Sequence, residues 1–225
     1  EIVCGLDTSA SNVNSCWRLA SSGQIVGTIV DQTLKGLLAS PENQITWLSV
    51  PGSSTTQAFG VSDRSWVVGD ASFITNVEGT TKRAFVWRNG EFQLLPVPSG
   101  SSAFCISSTG QIVGVAQASQ GQRRAYSFLS SFWQWLPELP TMIAVIQSEA
   151  ATAVNDRGTV VGLHRIGSDA MAGGSPSTGL IWRRQPSSNT GGYGLPSTLA
   201  AIGAGWSAWP EDVSNRDLVV GRCSP

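Results

Sequence analysis

A nine-residue stretch recurs five times along this 225-residue chain, and a fixed period of that kind overrides any local reading of secondary structure. Residues 19–27 (LASSGQIVG) return as 61–69 (VSDRSWVVG), 106–114 (ISSTGQIVG), 154–162 (VNDRGTVVG) and 213–221 (VSNRDLVVG). The closing glycines Gly27, Gly69, Gly114, Gly162 and Gly221 are 42, 45, 48 and 59 residues apart. That is the length of one four-stranded propeller blade with loops of variable size. Two further elements repeat between those copies. Lys35-Gly36-Leu37-Leu38-Ala39 is matched by Arg83-Ala84-Phe85-Val86-Trp87, Arg124-Ala125-Tyr126-Ser127-Phe128 and Thr178-Gly179-Leu180-Ile181-Trp182. Trp47-Leu48-Ser49-Val50-Pro51 is matched by Leu94-Leu95-Pro96-Val97-Pro98 and Trp135-Leu136-Pro137-Glu138-Leu139-Pro140, with Leu195-Pro196 as a weak fourth copy.

Each element reads as a strand. A short apolar strand ends at Val154, Asn155 starts a turn that Gly158 finishes, and Thr159-Val160-Val161 resumes as a second, β-branched strand. The third element puts a small residue ahead of an apolar strand, and Asn89-Gly90 is a hairpin signal leading to the fourth. Proline closes that fourth strand, which suits an outer edge or an exit. Trp87 and Trp182 recur at one position of the unit, as packing between neighbouring blades requires. The expected architecture is all-β, a propeller of about five four-stranded blades in a single domain over residues 1–225. Its units are about 16–57, 58–102, 103–150, 151–208, and 209–225 together with 1–15.

Composition excludes several alternatives. Charged residues are only 13% of the chain, while hydrophobic residues make 41% and include nine tryptophans, so a packed core is expected and disorder is not. With 25 glycines and 11 prolines, long helices are a poor fit. Fourteen basic residues balance fifteen acidic ones, in clusters no longer than Lys82-Arg83 or Arg123-Arg124, so no nucleic-acid partner is expected. The longest apolar run, residues 142–146, is far short of the roughly 20 needed to span a bilayer, so no membrane insertion is expected either. The opening at Glu1, without Met or a leader, is how a mature secreted chain looks after its signal is removed, and a trimmed chain looks the same.

The repeat resembles the bacterial probable extracellular repeat, or HAF-type repeat, a resemblance carried best by residues 103–114, 151–162 and 84–90. It implies a secreted or cell-surface, β-propeller-like protein and implies no activity. The first unit departs from the pattern at Leu37-Leu38-Ala39, and the fourth carries insertions around 170–174 and 189–192.

The fifth motif leaves its blade with two strands from the C-terminal end. An open sheet edge is a liability that proteins normally cover. Residues 1–6 (EIVCGL) are short and apolar enough to pair beside residues 217–223, either in the same molecule or by strand exchange with the next. Four cysteines, Cys4, Cys16, Cys105 and Cys223, allow three pairings if all are bridged. A Cys4–Cys223 disulfide would staple the closing strands; four reduced, buried thiols are the alternative.

Sites for chemistry are sparse. The single histidine, His164, lacks both a Gly-x-Ser-x-Gly elbow and a set of companion metal ligands, so it reads as an ordinary strand or loop residue. Asp63 and Asp156 meet the needs of their turns, and Asp212 is isolated from them. Glu138, Glu149, Glu211 and Asp212 are the candidate carboxylates for a glycosidase-like pair, with nothing in the sequence that places two of them at catalytic separation. Arg64, Arg157 and Arg216 recur at one turn position and read as solvated. No catalytic residue, cofactor or metal is expected. The chain reads as a non-enzymatic structural or interaction protein of the cell exterior, self-associating or forming a filament. The alternative is a module binding carbohydrate, such as surface glycans, or another ligand through the enlarged fourth unit.

Overall fold

The structure, a computed structural model, describes residues 15–31, 33–75, 79–118, 121–140, 147–166, 177–185, 192–199 and 207–224. Among them there is no α-helix, and the strands fall into small antiparallel sheets in which consecutive strands are neighbours. The first sheet holds β1 (Ser15–Leu19), β2 (Ile25–Asp31), β3 (Thr33–Ala39) and β4 (Ile45–Leu48). The second holds β5 (Thr55–Val61), β6 (Val67–Thr75), β7 (Gly79–Arg88) and β8 (Glu91–Leu94). The third holds β9 (Ser102–Ile106), β10 (Ile112–Gln117), β11 (Arg123–Leu129) and β12 (Phe132–Trp135). The fourth holds β13 (Gln147–Val154), β14 (Val160–Ile166), β15 (Ser177–Trp182) and β16 (Ser197–Leu199). The fifth is the pair β17 (Ser207–Val213) and β18 (Val219–Ser224). By packing, β1–β9 form one compact unit and β10–β18 another.

Five equivalent turns join the first and second strands of the sheets. In each, the fourth N–H donates to the first C=O: Gly23 to Ala20, Ser65 to Ser62, Gly110 to Ser107, Gly158 to Asn155 and Asp217 to Ser214. The fourth residue is left-handed in all five, with φ between 61° and 87°. Glycine meets that need in three copies, and Ser65 and Asp217 adopt it with a side chain. The turn-starting side chain caps the N–H four residues on, Asn155 Oδ1 accepting from Thr159 at 2.9 Å and Ser107 Oγ from Gln111 at 3.1 Å. The residue types anticipated for turn entry and exit therefore each have a hydrogen-bonding or dihedral reason.

The repeated glycine has a different cause from its neighbours in the turn. The first strand is bulged opposite it, with register shifts between Cys16 and Arg18, Ala58 and Gly60, Ala151 and Ala153, and Pro210 and Asp212. The partners at the bulge are Cys16 with Gly27, Ala58 with Gly69, Ala151 with Gly162 and Pro210 with Gly221. A bulge tips the preceding carbonyl toward the partner strand. A Cβ on Gly69, Gly162 or Gly221 would lie 1.9, 2.0 or 2.1 Å from the carbonyl oxygen of Gln57, Ala150 or Trp209. Close approach within the sheet, and not positive φ, demands glycine here.

Packing between sheets repeats as well. In the first unit β5 lies against β2 and β3, and β9 against β6 and β7; in the second, β13 lies against β10 and β11, and β17 against β14 and β15. The small residue of the third strand makes room for this. A Cβ on Gly36 would come within 3.1 Å of Ala58, and one on Gly179 within 3.3 Å of Ala208. Leucines close the same layer: Leu48 pairs with Gly36, while the N–H groups of Leu95 and Leu136 donate to Ala84 and Ala125 at 2.9 Å. All three leucines are fully buried, each contributing roughly 1.5–3 kcal/mol by removal from water. In the fourth sheet Leu199, paired with Gly179, takes that place, so the fourth copy of this element is not Leu195-Pro196. The element was hidden because the segment before it is lengthened. Of the two recurrent tryptophans, Trp182 is fully buried and Trp87 half-buried, packed against the cluster of Val26, Leu38, Leu48, Ala58 and Val67.

Candidate functional site

The second residue of each tight turn has a role beyond the turn. In the first unit Ser21 N donates to Asp63 Oδ1 at 2.9 Å. In the second, Ser108 N donates to Asp156 Oδ1 and Asp156 N to Asn215 Oδ1, both at 2.8 Å. Each side chain thus reaches back to the same backbone position of the preceding turn. Asn215 Nδ2 returns a bond to Asp156 Oδ2, while Asn155 Nδ2 donates to Ser214 O and Asp217 Oδ1, all at 2.8 Å. The recurrence of Asp or Asn at 63, 156 and 215 was the available sign. Turn chemistry alone explained it too easily.

This relay makes two carboxyls acid-sensitive. Partial burial pushes Asp156 up, but hydrogen bonds from Ser108, Asn215 and the backbone of Ser108 and Thr109 outweigh it and hold the group below its usual value. Asp217 is lowered by the Thr159 hydroxyl and Asn155, helped by Arg157 and Arg183. A carboxyl whose folded pKa is depressed contributes stability that is full above its unfolded value of about 4 and lost as pH falls through the folded value. The melting temperature should therefore hold from neutral pH to about 5 and fall progressively below pH 4. The double variant D156N/D217N, melted across the same pH series, should show a shallower acid limb; an unchanged limb contradicts this account.

The other sequence candidates separate. Glu149 and His164 face each other across β13 and β14, with Glu149 Oε1 3.4 Å from His164 Nδ1. Glu149 Oε1 also accepts the Leu139 N–H at 2.9 Å. Relative exposures of 2% and 7% withdraw both from solvent. The pair ties β13 and β14 to the chain following β12; no solvent-facing nucleophile accompanies it among the described contacts. Glu138 instead pairs with Arg124 at 2.5 Å and Glu211 with Arg222 at 3.1 Å, while Asp212 Oδ1 accepts the Val213 N–H. Among the described residues no group of three or more His, Cys, Asp or Glu is placed to hold a metal ion. Asp70, which the sequence did not single out, is buried against Ser102 Oγ at 2.6 Å and Lys82 Nζ at 3.3 Å. Cys105 is buried in β9. Cys223 carries a free, half-buried thiol, and its expected partner Cys4 lies outside the described residues, as do the proposed closing strand at 1–6 and the insertions at 170–174 and 189–191.

The fifth sheet differs from the other four at β18. In the first four repeats the valine before the repeated glycine, Val26, Val68, Val113 or Val161, is 0% exposed. A third strand pairs alongside each: β3, β7, β11 and β15. Val220 occupies the same place in the fifth repeat and is 62% exposed, next to Leu218 at 66%. Among the described residues β18 pairs with β17 alone. Among the described residues, β18 therefore presents a strand edge with no further partner and an exposed apolar face, a template for another strand.

No protein-family model matches this chain, and no curated protein matches it.

Proposed function

We propose that the chain is a non-enzymatic interaction protein of the cell exterior, a propeller of about five blades that works by accepting a β-strand at the β18 edge. The observation that carries this reading is the exposure of Val220, where the four equivalent valines are covered. Residues 1–6 are assigned as the added strand, in the same molecule or from the next. Addition from the next molecule is head-to-tail and propagates a filament unless it closes. Placement at the cell exterior rests on the resemblance of the repeat. Among the described residues no helix is long and apolar enough to cross a membrane.

Removing residues 1–8 should lower the melting temperature by several degrees, since two strands alone are marginal, and an added peptide of residues 1–15 should restore it. V220K in the same truncated protein should abolish the rescue, because a charged side chain on the edge strand replaces the apolar cross-strand contact that the added strand would make. Light scattering and negative-stain microscopy then read the mode: monomers for closure within a molecule, polymers for exchange. A silent deletion, or rescue that survives V220K, overturns the reading.

A further inference from the structure

Trp66 departs from its own repeat. The residue following the tight turn is Gln24, Gln111, Thr159 or Leu218 in the other copies, so the fold does not require an aromatic ring there. Two guanidinium groups from separate turns converge on it. Arg64, inside the turn, has Cζ 5.5 Å from the ring centroid, and Arg88, at the end of β7, has Cζ 5.6 Å from it. Both arginines are exposed and Trp66 is half-buried. Neither arginine forms an ion pair among the described residues, although Asp63 and Glu91 are near in sequence: Asp63 Oδ1 accepts the Ser21 N–H, and Glu91 is paired with Arg88 through the backbone register of the hairpin. Arg88 Nη2 donates to Gln93 Oε1 at 2.8 Å. Corresponding positions elsewhere carry Ser22 and Ser40 in the first repeat and Thr109 and Leu129 in the third. The fourth repeat carries both cations, Arg157 and Arg183, around Thr159, so at these three positions the second repeat alone adds an aromatic ring. Trp209 also meets two guanidinium groups, but Arg165 is buried and Arg222 is paired with Glu211.

A guanidinium held against an aromatic ring leaves N–H groups in its own plane for a carboxylate or sulfate; Arg88 commits Nη2 to Gln93 and keeps its other donors. Neither charge is neutralised by an ion pair among the described residues, so an arriving carboxylate or sulfate finds a charged donor at each. We propose that Arg64, Trp66 and Arg88 form a receptor for the carboxylate or sulfate groups of an acidic polysaccharide. A single pair of cations beside an aromatic and an amide suits charges spaced along a hydroxyl-rich polymer. The dense charge of a nucleic acid calls for a longer basic stripe than this chain has. This site is independent of the β18 edge.

The test is binding of the full chain at low salt to polygalacturonate, dextran sulfate, neutral dextran and single-stranded DNA. The variants borrow the repeat's own residues, W66Q and R64S/R88S, so that each position keeps a residue the fold already accepts. Wild type should bind polygalacturonate, dextran sulfate or both, and the pattern identifies the anion. R64S/R88S should weaken that binding at least tenfold, W66Q should weaken it several-fold, and added salt should weaken it further. Melting curves of both variants should stay near wild type; if one is unfolded, the other carries the test. Equal binding of neutral dextran or DNA, no binding to either acidic polymer, or full binding by a folded variant overturns the proposal.

Discussion

Replacing Gly162 with alanine should destabilise the protein by about 3 kcal/mol or more, as a small-to-large change against backbone that cannot move aside. The added Cβ would stand 2.0 Å from Ala150 O and 2.9 Å from Ala151 Cα, both main-chain atoms of β13. Relief requires undoing the bulge between Ala151 and Ala153, and with it the register of every residue N-terminal to the bulge. Gly52 is the control: it has φ +77° but nothing within 4 Å of the Cβ position. Gly52→Ala should cost only about 1 kcal/mol, the penalty of a left-handed alanine. Urea unfolding of the two variants measures the contrast, and equal losses would show that the bulge is not what requires Gly162.

Trp182→Ala should cost roughly 3–5 kcal/mol, the range for emptying a fully buried aromatic site. Its ring is enclosed at the end of β15, and Nε1 donates to Pro137 O at 2.8 Å. Trp182→Phe separates the contributions by keeping most of the volume while leaving the Pro137 carbonyl without that donor, at about 1–3 kcal/mol. Trp47 on β4 is the comparison, because its ring is exposed and its removal should fall within about 0.5 kcal/mol. Chemical denaturation of the three variants should rank them in that order. Loss at Trp47 equal to that at Trp182 would mean that the recurrent tryptophan is no better buried than an edge residue.

The strands and turns were legible because their requirements are local. Asn155 and Gly158 mark a turn through a side-chain acceptor and a left-handed dihedral, and both requirements act within five residues. Candidate sites were less legible. Asp63 and Asp156 looked fully explained by their own turns, yet each binds the backbone of a turn more than 40 residues earlier. Leu199 was missed because it is recognisable by its partner Gly179 and not by its neighbours in sequence.

By itself the sequence determined the period, the all-β class, the five turns and the positions where only glycine or a small residue serves, since these follow from side-chain size and backbone dihedral. Register was decided by the tertiary structure. Counting back from the turn, Val154 opposite Val160 and Ala153 opposite Val161, places Ala150 across from His164. The bulge inserts one residue and brings Glu149 there instead, so the only histidine of the chain meets a buried carboxylate rather than a methyl group. The exposure of Val220 is likewise unreadable from its motif, which is the same Val-Val-Gly that is buried at 67–69 and 160–162. Whether an apolar strand residue is covered depends on a neighbouring strand far away in the chain, and a motif carries no information about its neighbour.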